Sequence, residues 1–227
     1  ILELKGIPNP KQAEFFRSTA RHTAYGGARG GGKSWAVRCK AKLLALRYAG
    51  IRILLVRRSL AELEANHLAF LRQELADVAE YRAGERQFRF CNGSVLQFGY
   101  CGCDRDLDRY QGAEYDVIFL DEATQLKEQW MRQIAACVRG VNDFPKRIYY
   151  TCNPGGPGHG YIKRLFIDRR FESGENPADY AFIQALVRDN TVRPVLRDAE
   201  APRDASFSPD GQKIAYSDRN NLYVYDI

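Results

Sequence analysis

Short apolar runs and amphipathic stretches alternate along most of this chain. Residues 10–21, PKQAEFFRSTAR, carry helical spacing with a proline near the start, where its missing N–H has no helical partner to lose. His22 to Tyr25 is a short extended run. From Lys33 to Ala49 the sequence reads as a helix with an apolar stripe, closed by Gly50. IRILLV, Ile51 to Val56, is nearly continuous in apolar residues, as in a strand buried on both faces. Residues 60–80 read as a second long helix. FRFCNGSVLQFGY then alternates apolar and polar positions around Asn92-Gly93, a hairpin signal, since Asn-Gly tolerates the positive φ of a type I′ turn. YDVIFL, Tyr115 to Leu120, is another buried strand, with a helix expected to about Arg139. KRIYYTC, Lys146 to Cys152, is a further strand, followed by a Pro/Gly-rich loop over 153–160. A short helix to about Arg169 and a last strand, DYAFIQALV, complete the pattern. Strands alternating with helices predict an α/β fold: a mainly parallel sheet flanked by helices, with the β-hairpin added antiparallel at one edge.

Composition narrows the setting. Hydrophobic residues make up 45% of the chain, enough for a substantial core, and no run approaches the roughly 20 apolar residues that cross a bilayer. The N-terminus lacks the basic-then-apolar layout of a signal peptide. A cytoplasmic protein with no membrane partner is the expectation. The six cysteines include one close pair, Cys101 and Cys103, without a second pair at zinc spacing, so they read as reduced thiols. A net charge of +6 favours a polyanionic partner such as nucleic acid.

The chemistry begins at YGGARGGGKSW. Gly27-Ala28-Arg29-Gly30-Gly31-Gly32-Lys33-Ser34 satisfies GxxxxGK[ST], the P-loop or Walker A pattern, with a short strand before it and a helix after it. The glycines let backbone N–H groups wrap a phosphate chain, and the following helix adds free donors and partial positive charge. Lys33 is the candidate for the β- and γ-phosphates, and Ser34 for Mg²⁺. A plain glycine-rich turn would not require the terminal Lys-Ser. VIFLDEA ends an apolar strand in Asp121-Glu122, a Walker B pattern. There Asp121 would hold Mg²⁺ through its water shell, and Glu122 would act as general base toward the attacking water. An Asp-Glu helix cap is the plainer alternative, uncommon downstream of a P-loop. Asn153 follows a buried strand, so its amide is expected at the ligand-binding edge of the sheet, sensing the γ-phosphate, or else in an ordinary loop. Gln12 carries an amide able to read an adenine edge, although a lone helical glutamine is more often solvated.

KQAEFFRS, YGGARGGGKS, DRYQGAEYDVIFLDEATQ and YTCNPGGPGHGYIKRLFI, in this order, resemble the ATPase domain of the large terminase subunit of tailed bacteriophages over about residues 5–190. The resemblance implies an ATPase of the P-loop (RecA/ASCE-like) class that hydrolyses ATP with Mg²⁺ to pump double-stranded DNA into procapsids. It implies a homo-oligomeric ring on a portal protein, a small terminase subunit as partner, and the host cytoplasm as location. By motif, Gln12 matches an adenine-reading glutamine, Arg29 a P-loop arginine near the γ-phosphate, and Thr151 to Asn153 a segment coupling hydrolysis to DNA movement. Arg105, Arg109 and Arg139 are candidates for an arginine donated to a neighbouring subunit. Arg57, Arg58, Lys163 and Arg164 are candidates for DNA-phosphate contact. The family's nuclease domain is not expected in this length. A helicase-type ATPase is the alternative, but its second ATPase-like domain also lacks room. A nucleotide-binding module without turnover in isolation is the other.

Residues 191–227 read differently. FSPDG-QKIAY-NNLYVYD resembles a single blade fragment of the β-propeller in dipeptidyl-peptidase and TolB-like proteins. One blade cannot bury its faces without neighbours, so a lone hairpin or a poorly ordered tail is expected rather than an independent domain.

Overall fold

A computed structural model describes residues 6–27, 30 and 32–185, together with the backbone of three strands between 203 and 226. Helix α1 (Pro10–Arg17) starts on a reciprocal cap: the Asn9 side chain accepts from the Gln12 N–H, and the Gln12 side chain accepts from the Asn9 N–H. Strand β1 (His22–Gly27) and helix α2 (Lys33–Arg47) flank the glycine-rich loop, and β2 (Arg52–Arg57) follows. The helix expected over 60–80 is shorter and irregular. It consists of α3 (Leu60–Leu63), a π-turn (Glu64–Leu68) and α4 (Ala69–Glu74). Its expected last turn is instead β3 (Ala79–Arg82), because β4 (Gln87–Phe90) lies opposite and supplies the ladder, a partner that local spacing does not contain. β4 and β5 (Val95–Tyr100) form the expected hairpin. Its tip is not type I′: Gly93 alone takes a positive φ, +84°, and Asn92 does not.

The remaining elements are a 3₁₀ turn (Asp104–Tyr110), β6 (Val117–Leu120), a 3₁₀ turn (Ala123–Gln125) and α5 (Glu128–Ala135). Then come β7 (Arg147–Cys152), α6 (His159–Ile162) with a π-turn (Lys163–Ile167), and β8 (Tyr180–Ala185). The eight strands form one sheet in the order β3-β4-β5-β2-β6-β7-β1-β8. From β5 to β8 every pairing is parallel, and only the β3-β4-β5 edge is antiparallel.

Period-two alternation divides the core into two layers. Ile53, Leu55, Val117, Phe119 and Tyr149 face one layer with α1 and α2. Leu54, Val56, Ile118, Leu120, Ile148 and Tyr150 face the other with α5 and α6. Helix α2 is buried almost all round rather than along one stripe, and its basic residues are paired accordingly. Lys42 pairs with Glu74, Lys40 donates to the Phe16 carbonyl, and Arg38 donates to the Asn66 carbonyl at 2.5 Å. Burial pushes the Lys40 ammonium down to about 7.

Farther along the chain, β9 (Arg203–Phe207), β10 (Lys213–Asp218) and β11 (Asn221–Asp226) make a separate antiparallel sheet, order β11-β10-β9. This is one strand more than a lone hairpin, because β10 finds ladder partners on both edges. The turn signal Ser208 to Gly211 lies outside the described residues.

His22, at the start of β1, stacks on Tyr180 with centroids 4.5 Å apart, and its Nδ1 lies 3.1 Å from the Tyr150 hydroxyl. Burial, with help from Arg21, lowers its pKa from 6.5 to about 4. The unfolded chain therefore takes up this proton first, so the contribution is whole above pH 6.5 and is lost as pH falls toward 4. Denaturant unfolding at pH 7.5 and pH 5 should show a smaller acid loss for His22→Phe than for the parent, by on the order of 1–2 kcal/mol.

Candidate active site

Strand register assembles the site. Val56 pairs with Leu120, and Leu120 with Tyr150. One residue further along, Arg57, Asp121 and Thr151 therefore stand in a row at the C-terminal edge of the sheet. On the far side of β7, Tyr25 pairs with Thr151 and Gly26 with Cys152, so β1 delivers its glycines to the same edge. In doubly wound sheets this edge is where ligands bind.

Two glycines at the strand exit are required by space. A Cβ on Gly26 would lie 2.1 Å from Cys152 Sγ, and one on Gly27, at φ +136°, would lie 2.4 Å from the Ala185 carbonyl oxygen. Ala28, Arg29 and Gly31 lie outside the described residues. Gly32 caps α2 in the left-handed region. Lys33 is buried in the first turn of α2. Burial lowers its pKa, while Cys152, Asp121 and Glu122 oppose that effect. Gln12 is brought to the loop: its Nε2 donates to the Gly32 carbonyl at 3.2 Å and its Oε1 accepts from Asn9 N–H at 2.8 Å. Its carbonyl is thus already engaged by the α1 cap, and one amide hydrogen holds the loop.

Asp121 is the centre of the constellation and is 1% exposed. Oδ1 accepts from Thr151 Oγ1 at 2.5 Å. Oδ2 lies 2.7 Å from His67 Nε2, 3.2 Å from Arg57 Nε and 3.4 Å from Ser34 Oγ. Burial alone would raise this carboxyl. His67, Arg57 and Thr151 outweigh it and hold the group below the usual carboxylate range. An ionised carboxylate beside the Ser34 hydroxyl is the donor set that fits Mg²⁺ in a P-loop site.

Glu122 follows at φ 53°, ψ 47°, a left-handed conformation that strains a residue with a side chain. Its N–H donates to Thr151 Oγ1 at 2.8 Å, and its Oε1 lies 2.9 Å from Arg57 Nη2. Arg57 therefore belongs to the site. It is buried, and its expected place on a DNA-contacting surface is incorrect, because β2 ends inside the sheet edge rather than on the outer face. Of the other basic candidates, Arg58 is exposed, Lys163 pairs with Asp168 at 2.8 Å, and Arg164 is forked onto Glu175 at 2.8 and 3.0 Å. Arg109 is tied to Asp106 and lies over the Tyr100 ring, Arg139 pairs with Glu114, and Arg105 is exposed.

Asn153 stands just past β7, where its Oδ1 is buried without a hydrogen-bond partner among the described residues. Its loop is clamped to the turn after Glu122. Thr124 Oγ1 donates to the Asn153 carbonyl at 3.0 Å, and Gly158 N–H donates to the Thr124 carbonyl at 2.9 Å. His67 has no counterpart in the sequence motifs. Spacing points only to the turn that carries it: the buried leucines Leu63 and Leu68 are five apart, which an α-helix does not bring to one face and a π-turn does.

This edge, with its glycine loop before a helix start and an Asp-Glu pair at the end of β6, defines a P-loop NTPase fold. The sequence model of the phage terminase large subunit matches residues 19–201, and the chain belongs to that family. Solved structures agree in fold. The large terminase of a thermophilic bacteriophage superposes with a TM-score of 0.67 at 15% identity, covering 97% of this chain and 69% of that one. The same enzyme solved with ADP gives 0.66 at 14%, with 97% and 69% covered. The large terminase ATPase domain of Thermus phage P74-26 gives 0.61 at 17%, covering 82% of this chain and 84% of that one. No curated protein sequence matches this chain.

Packing sets a clear expectation for the clamped loop. Gly156 has φ +93°, and a Cβ there would lie 2.3 Å from the Thr124 carbonyl oxygen. Gly156→Ala should lower stability by about 2–4 kcal/mol, read as a drop in thermal midpoint, whereas Gly155→Ala, with open space around it, should cost clearly less.

Proposed function

We propose that this chain is a Mg²⁺-dependent ATPase whose turnover drives double-stranded DNA into viral procapsids. The observation that carries the reading is the convergence of Ser34, Asp121, Glu122 and Asn153 on one sheet edge, in a member of the phage terminase large subunit family. ATP would lie along the loop from Gly27 to Ser34, with Lys33 and Arg29 toward the γ-phosphate and Gln12 near the adenine. Ser34 and Asp121 would hold Mg²⁺, which when bound supplies positive charge beside the phosphate oxygens. Glu122 takes the proton of the attacking water as the new P–O bond forms and the bond to ADP breaks. Loss of the γ-phosphate would release Asn153, and the Thr124 clamp would pass that change to the loop over 153–160.

The acceptor of that motion is duplex DNA, in a homo-oligomeric ring mounted on a portal protein and loaded by a small terminase subunit in the host cytoplasm. Arg105, exposed within the 3₁₀ turn Asp104–Tyr110, is the best presented of the three arginines for a neighbouring subunit. Residues 1–190 form the motor unit in this reading, and 191–227 an appendage. No helix among the described residues is long and apolar enough to cross a membrane.

A second reading, nucleotide binding without turnover in isolation, is favoured by one observation. One oxygen of the Glu122 carboxylate, Oε1, is held by Arg57 at 2.9 Å, so the side chain rests in an ion pair in this structure. Phosphate release with Mg²⁺-ATP, alongside labelled-ATP binding, separates the two. Glu122→Gln should keep binding and lose turnover by about 10²-fold or more. Binding without turnover in the parent would favour the second reading, and absence of binding would overturn both.

Arg57→Met tests the ion pairs of the site. It leaves Asp121 buried without its neighbouring guanidinium charge, so it should destabilise the fold by about 3 kcal/mol or more, measured by denaturant unfolding.

A further inference from the structure

We infer that His67 is a positioning residue for the metal-binding aspartate, carried on the π-turn of the helix after β2. The inference rests on the Mg²⁺ site proposed above and assigns a role that none of the sequence motifs contains. His67 is fully buried, and Nε2 lies 2.7 Å from Asp121 Oδ2. Because the carboxylate can only accept, Nε2 carries the hydrogen. Nδ1 is buried without a partner among the described residues. The ring thus has one polar attachment, and it is Asp121.

The geometry gives that attachment a purpose. A carboxylate held at one oxygen still pivots about its last torsion. Thr151 fixes Oδ1, and His67 fixes Oδ2. Arg57 Nε is near Oδ2 but poorly aligned as a donor, and Ser34 Oγ is the most distant of the four at 3.4 Å. With both oxygens pinned, the free acceptor capacity of Oδ2 stays directed at Ser34, where a metal's water shell would lie. Outer partners of this kind orient metal-binding groups, and losing them typically costs 10–100-fold in metal affinity.

The π-turn buries Leu68 beside the histidine and so anchors the turn that carries it. A regular helix through Leu63 would bring position 67 inward and turn position 68 away. The wider turn of Glu64–Leu68, closed by Ala69 N–H on the Glu64 carbonyl, buries both. The turn and the α3 residues before it are braced: the Asn66 carbonyl receives Arg38 from α2 at 2.5 Å, and the Glu62 carbonyl of α3 receives Arg57 at 3.2 Å. His67 is therefore presented from a fixed platform joined to the helix that begins with Lys33 and Ser34.

The test uses the full chain and fluorescent ADP, titrated in Mg²⁺ and in EDTA. His67→Met fills the same volume without a donor, and His67→Gln returns an N–H near the Nε2 position. The Mg²⁺ concentration giving half of the metal-dependent gain in affinity should rise about tenfold in His67→Met. It should return toward the parent in His67→Gln, with affinity in EDTA unchanged in both. A parent-like Mg²⁺ response in His67→Met overturns the inference. So does an equal loss in both variants with weaker binding in EDTA, which marks a packing role only. Should His67→Met fail to fold, His67→Asn, polar but too short to reach, takes its place with the same two outcomes. A parent that binds ADP with no Mg²⁺ effect would instead remove the metal reading itself, before any variant is compared.

Discussion

A single buried carboxylate organises this protein. Asp121 has almost no contact with water, and an unpaired charge in such a place would cost several kcal/mol. Four neighbours from four segments converge on it: Ser34 from the start of α2, Arg57 from the end of β2, His67 from the π-turn, and Thr151 from the end of β7. Each of these segments has a sheet or helix position that it must keep for the charge to be compensated. The requirement ties the glycine loop, the middle of the sheet and the helix over 60–74 into one unit. It also keeps the carboxylate ionised, which is the form that can attract a cation.

Sheet topology makes the convergence possible. β6 lies between β2 and β7, and β7 lies between β6 and β1, all parallel. Parallel strands end on the same edge, so residues distant in sequence meet there without any loop having to reach across the sheet. Thr151 illustrates the economy of the arrangement. Its hydroxyl donates to Asp121 and accepts from the Glu122 N–H, so one side chain fixes both acidic positions. The strained backbone of Glu122 is held by that bond on one side and by Arg57 on the other.

The same edge has a mechanical continuation. The turn after Glu122 is joined to the loop after β7 through Thr124, Asn153 and Gly158, with glycines where a side chain would collide with backbone. One bond of this clamp, Gly158 N–H to the Thr124 carbonyl, joins backbone to backbone, and the other uses the Thr124 hydroxyl. The antiparallel addition β3-β4-β5 lies at the opposite flank of the sheet from β8 and takes no part in this linkage.

The sequence by itself determined the class of fold and the places of Lys33 and Ser34 at a helix start and of Asp121 at a strand end. Apolar runs such as Ile51 to Val56 can be buried only on both faces, and a glycine-rich stretch ending in Lys33-Ser34 has few other uses. Spacing over 60–80 misjudged the helix because the ladder partner of β3 lies in another segment, and because a five-residue gap between buried leucines was read against a helical repeat. Only the tertiary structure decided that Arg57 and His67 belong to the site. Their side chains are directed by strand register and by a π-turn, and their compensating charge, Asp121, lies more than fifty residues away in sequence. Local pattern records which face of an element is apolar, but it does not record which charge another element will bury against it.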